Sequence, residues 1–151
     1  NDDDLNDDDE LDDDIYLKIV ELSEDGNDFM DNQDYTSAAQ AFAEGLMLLP
    51  EPKTKWEAYT WLKAGTCDAY FFLNDFQKAQ EEAFDAMNGP EGAYNPFILM
   101  RLGQCFYELN GSDNEKAIDY LMKSYLLEGE EMFADEDPKY LKAIVPFIQP
   151  S

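Results

Sequence analysis

The sequence predicts an all-α chain: three antiparallel helix pairs stacked as a short right-handed solenoid and closed by a C-terminal capping helix. Three observations carry this. From Ile15 onward apolar residues recur at spacings of three and four, the period of helices that bury one face, and not at two. Short polar turns cut the chain into segments that come in pairs. The pairs also repeat one another. Gly26, Phe29, Asp34, Tyr35, Ala38, Phe42 and Gly45 align at identical spacing with Cys67, Tyr70, Asp75, Phe76, Ala79, Ala83 and Ala86. A third copy runs through Leu99, Leu102, Gly103 and Phe106 to Ala117, Leu121 and Ser124, with two extra residues in the turn 110–114 that belong on a loop.

In order along the chain, residues 1–14 hold nine Asp and one Glu with no basic residue, and read as a solvated acidic tail that self-repulsion keeps disordered. The run lacks the glycine and glutamate spacing of an EF-hand loop. The folded domain is expected over 15–151, with helices at 15–32, 36–49, 55–73, 75–87, 96–109, 113–130 and 138–147. Four starts carry capping signals of their own. Thr54 with Glu57 and Ser112 with Glu115 fit the capping box, and Asn95-Pro96 and Asp137-Pro138 place a capping residue ahead of proline at the first helical position. The longer spacing between the first and second copies goes to the linker 48–55 and an extended opening helix. The helix at 138–147 reads as the cap over the last apolar face, ended or kinked by Pro146.

Composition excludes whole classes of function. The chain has 151 residues, 35 acidic against 10 basic side chains and a formal charge of −25. Such a field repels nucleic-acid backbones and anionic membrane surfaces and favours a basic protein partner. With no histidine, Ser-His-Asp and Cys-His catalysis and His-ligated zinc are impossible within this chain. Cys67 and Cys105 are isolated, sit at small-residue positions, and read as reduced core thiols, which favours a cytoplasmic location. Adjacent carboxylates such as Glu81/Glu82 and Glu130/Glu131 point about 100 degrees apart on a helix and do not converge on a substrate. The run 89–92 is a turn between repeats, not a phosphate loop. No cofactor, metal site or enzymatic activity is expected.

The aligned pattern of small residue, aromatic, Asp-aromatic turn and a second helix with small residues at its crossing points resembles the tetratricopeptide repeat, over residues 19–130. Departures are Leu22, Lys63 and Leu99 at the usual tryptophan position, Cys67 at the usual glycine, and copies 41 and 38 residues apart by Ala38, Ala79 and Ala117. The resemblance implies a concave groove lined by the first helix of each pair, and places Asn27, Asp31, Trp61, Asp68, Phe72, Phe97, Arg101, Gln104 and Glu108 as partner-binding residues. Rings among carboxylates suit a basic, partly apolar partner. Phe72 and Phe97 read equally as core or groove, whereas Trp61, beside polar Thr60 and near Lys63, reads as an exposed anchor.

Some tetratricopeptide domains clamp a partner's C-terminal carboxylate. Asn27 and Arg101 match two such positions, but the lysine positions hold Ser23 and Phe97, so a clamp is not expected. The stretches 49–53, 56–61, 95–106, 128–131 and 137–141 further resemble bacterial tetratricopeptide proteins that act as immunity partners of secreted toxins. That resemblance implies neutralisation of a basic toxin domain; the alternative is an adaptor or secretion chaperone that holds a partner peptide in its groove.

Overall fold

The computed structural model describes residues 10–148, all of them in helices, turns and connecting segments. Seven α-helices follow one another: α1 Asp13–Asp31, α2 Tyr35–Met47, α3 Glu57–Phe72, α4 Phe76–Ala86, α5 Pro96–Asn110, α6 Glu115–Glu128 and α7 Pro138–Ile144. Short 3-10 turns, Lys53–Lys55, Gly92–Tyr94, Glu130–Phe133 and Val145–Phe147, fill the connections. Each helix packs on its neighbours in sequence. Beyond that, α1 touches α3 and α3 touches α5, while α2, α4 and α6 meet one another less. Closer approach on the first-helix side makes that side the inner, concave face of a short solenoid.

The repeat alignment is visible as packing. Gly26, Cys67 and Gly103 are all buried, and so are the three second-helix trios Ala38, Phe42, Gly45; Ala79, Ala83, Ala86; and Ala117, Leu121, Ser124. Helix crossings are tight enough that a Cβ on Gly26 would lie 2.5 Å from the Phe42 ring. One on Gly103 would lie 2.7 Å from Leu121 Cγ and 2.9 Å from its backbone nitrogen. Where the first helix offers Cys67, the equivalent second-helix residue shrinks to Ala83, and both sit in one apolar cluster. Volume is thus traded across the crossing, as close-packed interiors require. Two clusters result, one between the first pair and α3, the other running from α3 to α7, and Tyr70 packs against both.

The turns explain the third copy's insertion. In the first two pairs the chain turns through Gln33 and Asn74, at φ 62° and 63°, with matching hydrogen bonds from Asp34 N to Phe29 O and from Asp75 N to Tyr70 O. Asp34 and Asp75 then cap α2 and α4 by accepting from Ser37 N and Lys78 N. In the third pair the two added residues open the turn at Gly111, φ 109°, and Asn114 takes over as the cap by accepting from Ala117 N.

Several boundaries differ from those the sequence suggested. Ser112 does not cap α6, because Asn114, a capping residue of equal preference that lies directly before Glu115, does so. Thr54 does not cap α3 either. It lies inside a 3-10 turn, and the residue before α3 is Trp56, whose indole Nε1 donates to Pro50 O at 2.8 Å. Lys53 Nζ closes α2 instead, donating to the carbonyls of Leu46 and Leu49. Asn95 and Asp137 cap α5 and α7 as their sequences imply, and α7 gives way to a 3-10 turn at Pro146. The expected acidic tail falls largely on residues 1–9, outside the described residues. Its last part is ordered: Asp12 caps α1 and Asp13 and Asp14 form the first turn, where carboxylates offset the partial positive charge of the helix end.

Replacing Gly103 with alanine gains helix propensity of about 1 kcal/mol but forces Leu121 backbone apart. A net loss of about 1–2 kcal/mol in urea unfolding is expected. Gly26→Ala is expected to lose a similar amount and to recover part of it when combined with Phe42→Leu, which trims the ring it meets.

Candidate functional site: the concave face

Arg101, on α5, occupies the centre of the concave side with only 3% of its surface exposed. Its Nε donates to Asp68 Oδ1 on α3 at 2.9 Å, and its Nη2 reaches the same oxygen at 2.8 Å. Its Nη1 donates to Gln104 Oε1 at 2.8 Å and to Glu136 Oε1 on the lead-in to α7. Gln104 Nε2 donates to that Glu136 oxygen at 2.9 Å. One guanidinium therefore ties α3, α5 and the approach to α7 together. Three rings wrap it, with the guanidinium carbon 4.5, 5.3 and 4.8 Å from the centres of Phe71, Phe72 and Phe97.

Burial opposes the charge on Arg101, but Asp68 and Glu136 more than offset this, so its pKa is raised and it stays ionised. Burial pushes the Asp68 carboxyl up, and Arg101 draws it only part of the way back. A second tie lies beside the first. Glu108 accepts from Tyr140 Oη at 2.7 Å and pairs with Lys139 Nζ at 2.8 Å, and the Tyr107 and Tyr140 rings meet edge to face. Lys63 does the same between α3 and α4, donating to Glu82 and Asp85 at 3.0 Å each.

The nine residues that the sequence assigned to partner binding therefore divide. Arg101 and Gln104 are buried, and with Asp68 and Glu108 they bond other parts of this chain; in the structure they hold the stack together. Asn27 and Asp31 are exposed on α1. Trp61 is 38% and Phe72 44% exposed, and Phe97 is half-buried beside Arg101. Phe72 also stacks on Tyr35, with centres 5.4 Å apart. Sequence reasoning missed Glu136, Lys139 and Tyr140, because nothing in a local pattern links them to residues more than 30 positions earlier.

Both cysteines are buried free thiols, and among the described residues no group of His, Cys, Asp or Glu is placed to hold a metal ion. No helix among the described residues is long and apolar enough to cross a membrane. What the concave face offers is rings and carboxylates, the chemistry of binding.

Among solved structures the chain is similar to the first TPR of Spaghetti (RPAP3) bound to the HSP90 peptide SRMEEVD, with a TM-score of 0.65 and 19% identity over 85% of this chain and 88% of that one. The fold is that of a tetratricopeptide-repeat domain. The second TPR domain of human RPAP3, in complex with the HSP70 peptide SGPTIEEVD, is similar with a TM-score of 0.66 and 14% identity over 90% and 99% of the two chains. No family model matches the sequence, and no curated protein does. The groove arginine is already neutralised by two carboxylates of this chain, Asp68 and Glu136.

Arg101→Met leaves Asp68 and Glu136 facing each other without their cation and is expected to cost about 3–5 kcal/mol of stability. Arg101→Lys should restore little of it, because an ammonium cannot supply the forked donors. Unfolding in urea monitored by circular dichroism checks both. Alkali should also loosen the fold. Burial pushes the Cys105 thiol up to about 12, raises Cys67 well above the usual thiol range, and raises the Tyr140 hydroxyl, to which the Glu108 hydrogen bond adds. The folded chain holds these protons more tightly than the unfolded chain. Stability is therefore full below about pH 8.5 and is lost as pH climbs through 9 toward 12. The urea midpoint should fall across that window, less so in Cys105→Ala.

Proposed function

We propose that this protein is a non-enzymatic adaptor whose concave face holds an extended segment of a partner protein, one that carries basic and apolar side chains. The observation that carries the reading is the exposure of Trp61 and Phe72 on α3 and of Asp31 on α1, first helices of their pairs in a tetratricopeptide fold, with the groove's one arginine turned inward. Large rings supply contact area and stack with Arg and Lys stems, and the surrounding carboxylates meet their charged heads. The two similar domains hold peptides, which supports a peptide as the ligand class here. Their peptides end in Glu-Glu-Val-Asp, whereas this face is negative and its one arginine is held by two carboxylates of this chain. The ligand of this chain therefore has the opposite charge.

The narrower reading, an immunity protein that neutralises a basic toxin domain, draws no support from these similarities, and the adaptor reading fits them better.

Fluorescence polarisation tests this with a labelled Lys/Arg-rich peptide containing leucines and with SRMEEVD. The basic peptide is expected to bind, to weaken as salt rises, and to lose about 5- to 10-fold in affinity in Phe72→Ala and in Phe97→Ala. SRMEEVD is expected not to bind. Tighter binding of SRMEEVD, or indifference of the basic peptide to both ring deletions, overturns the reading.

A further inference from the structure

The first turns of α1 and α3 enclose a cleft of about 530 Å³. Tyr16, 49% exposed, and Trp61, 38% exposed, line it together with Trp56, which is buried and fixed by its hydrogen bond to Pro50 O. Exposed Glu10, Asp13 and Glu57 line it as well. Its one basic lining residue, Lys55, lies with Nζ 4.6 Å from the centre of the Trp56 ring. The cleft thus already shows an ammonium group resting on an indole. Two helix N termini lend partial positive charge here, each about half an elementary charge. Three carboxylates against one ammonium leave the cleft negative all the same.

We propose that this cleft is a subsite for an arginine side chain of the partner segment, its guanidinium lying against Trp61 and Tyr16 and facing Glu10, Asp13 and Glu57. The proposal rests on the adaptor reading of the concave face and adds a specific residue preference to it. Arginine suits the cleft better than lysine because a planar guanidinium stacks on rings and forks to carboxylates. An acidic or purely apolar side chain meets repulsion or leaves the three carboxylates unpaired. The site lies apart from the Arg101 network and shares none of its residues.

Both tryptophans of the chain line the cleft, so intrinsic fluorescence reports directly on its occupancy. The probe is a blocked pentapeptide with two arginines, against the same peptide carrying citrulline, which keeps the shape and removes the charge. The arginine peptide should shift the fluorescence saturably, and the citrulline peptide should not. Trp61→Ala, with Trp56 still reporting, and Asp13→Asn/Glu57→Gln should each weaken the response about 5-fold or more. Glu128→Gln, exposed at the end of α6 and not among the residues that line the cleft, should leave it unchanged. Equal binding of the two peptides, or no saturable change up to about 5 mM, overturns the proposal. A longer basic peptide that loses affinity in Phe72→Ala but not in Trp61→Ala would remove the cleft subsite and leave the adaptor reading standing; loss in neither would remove both.

Discussion

Close approach of paired helices at the Gly26, Cys67 and Gly103 crossings is the constraint on which the rest of this structure depends. A helix that must bury one stripe against a partner and another against the next pair has little room to adjust its axis. Its distance from the partner is set by whichever side chains meet at the crossing. Glycine meets Phe42 at the first crossing and Leu121 at the third, and Cys67 shares one apolar cluster with Ala83 at the second. Small residues at these points let each pair close, and the first helices then fall side by side, so that an inner face exists at all.

What that face can do is decided by a second interaction, the inward turn of Arg101. A lone arginine in an acidic groove would ordinarily be the obvious anion site. Here Asp68 arrives from α3 and Glu136 from the lead-in to α7, and three rings cover the guanidinium. Removing its positive charge from the surface has two effects at once. It fastens the approach to the capping helix to the stack, and it takes the groove's one guanidinium out of reach of anionic ligands. The stability of α7, a helix of seven residues too short to persist alone, and the charge preference proposed for the groove therefore share one cause.

The fold was legible because a repeat writes its packing several times. Ala38, Ala79 and Ala117, or Phe42, Ala83 and Leu121, mean little singly, but the common spacing identifies them as one structural position, and all six are buried. Caps were legible where proline followed them, at Asn95 and Asp137, and misleading at Thr54 and Ser112. In those two cases a nearby residue made better use of the turn: Trp56 anchored on Pro50, and Asn114 placed closer to the helix. The site was half legible. Repeat register put Trp61, Phe72 and Phe97 on the inner face, since register specifies direction. Register does not specify whether a polar residue on that face is free. Arg101 and Gln104 are spent on Glu136, whose position depends on how the chain returns after α6, and no local pattern encodes that return.

The same accounting extends to charge. Nine of the ten basic side chains touch a carboxylate or a ring of this chain, Arg101, Lys63 and Lys139 most closely. Arg101, Lys63 and Lys139 fasten one element to another, Lys18, Lys53 and Lys123 pair locally, and the excess of 25 negative charges is left largely to the surface. Such an excess works against the compact state by self-repulsion, so it carries a stability cost that a neutral surface would avoid. The basic partner proposed above would relieve that repulsion as it binds, so that part of the association energy would come from repulsion already present in the free protein. Mobile salt relieves it as well, without any partner. Raising the ionic strength would therefore strengthen the fold while weakening the proposed complex, and the opposite signs of the two effects separate electrostatic recognition from mere loss of structure.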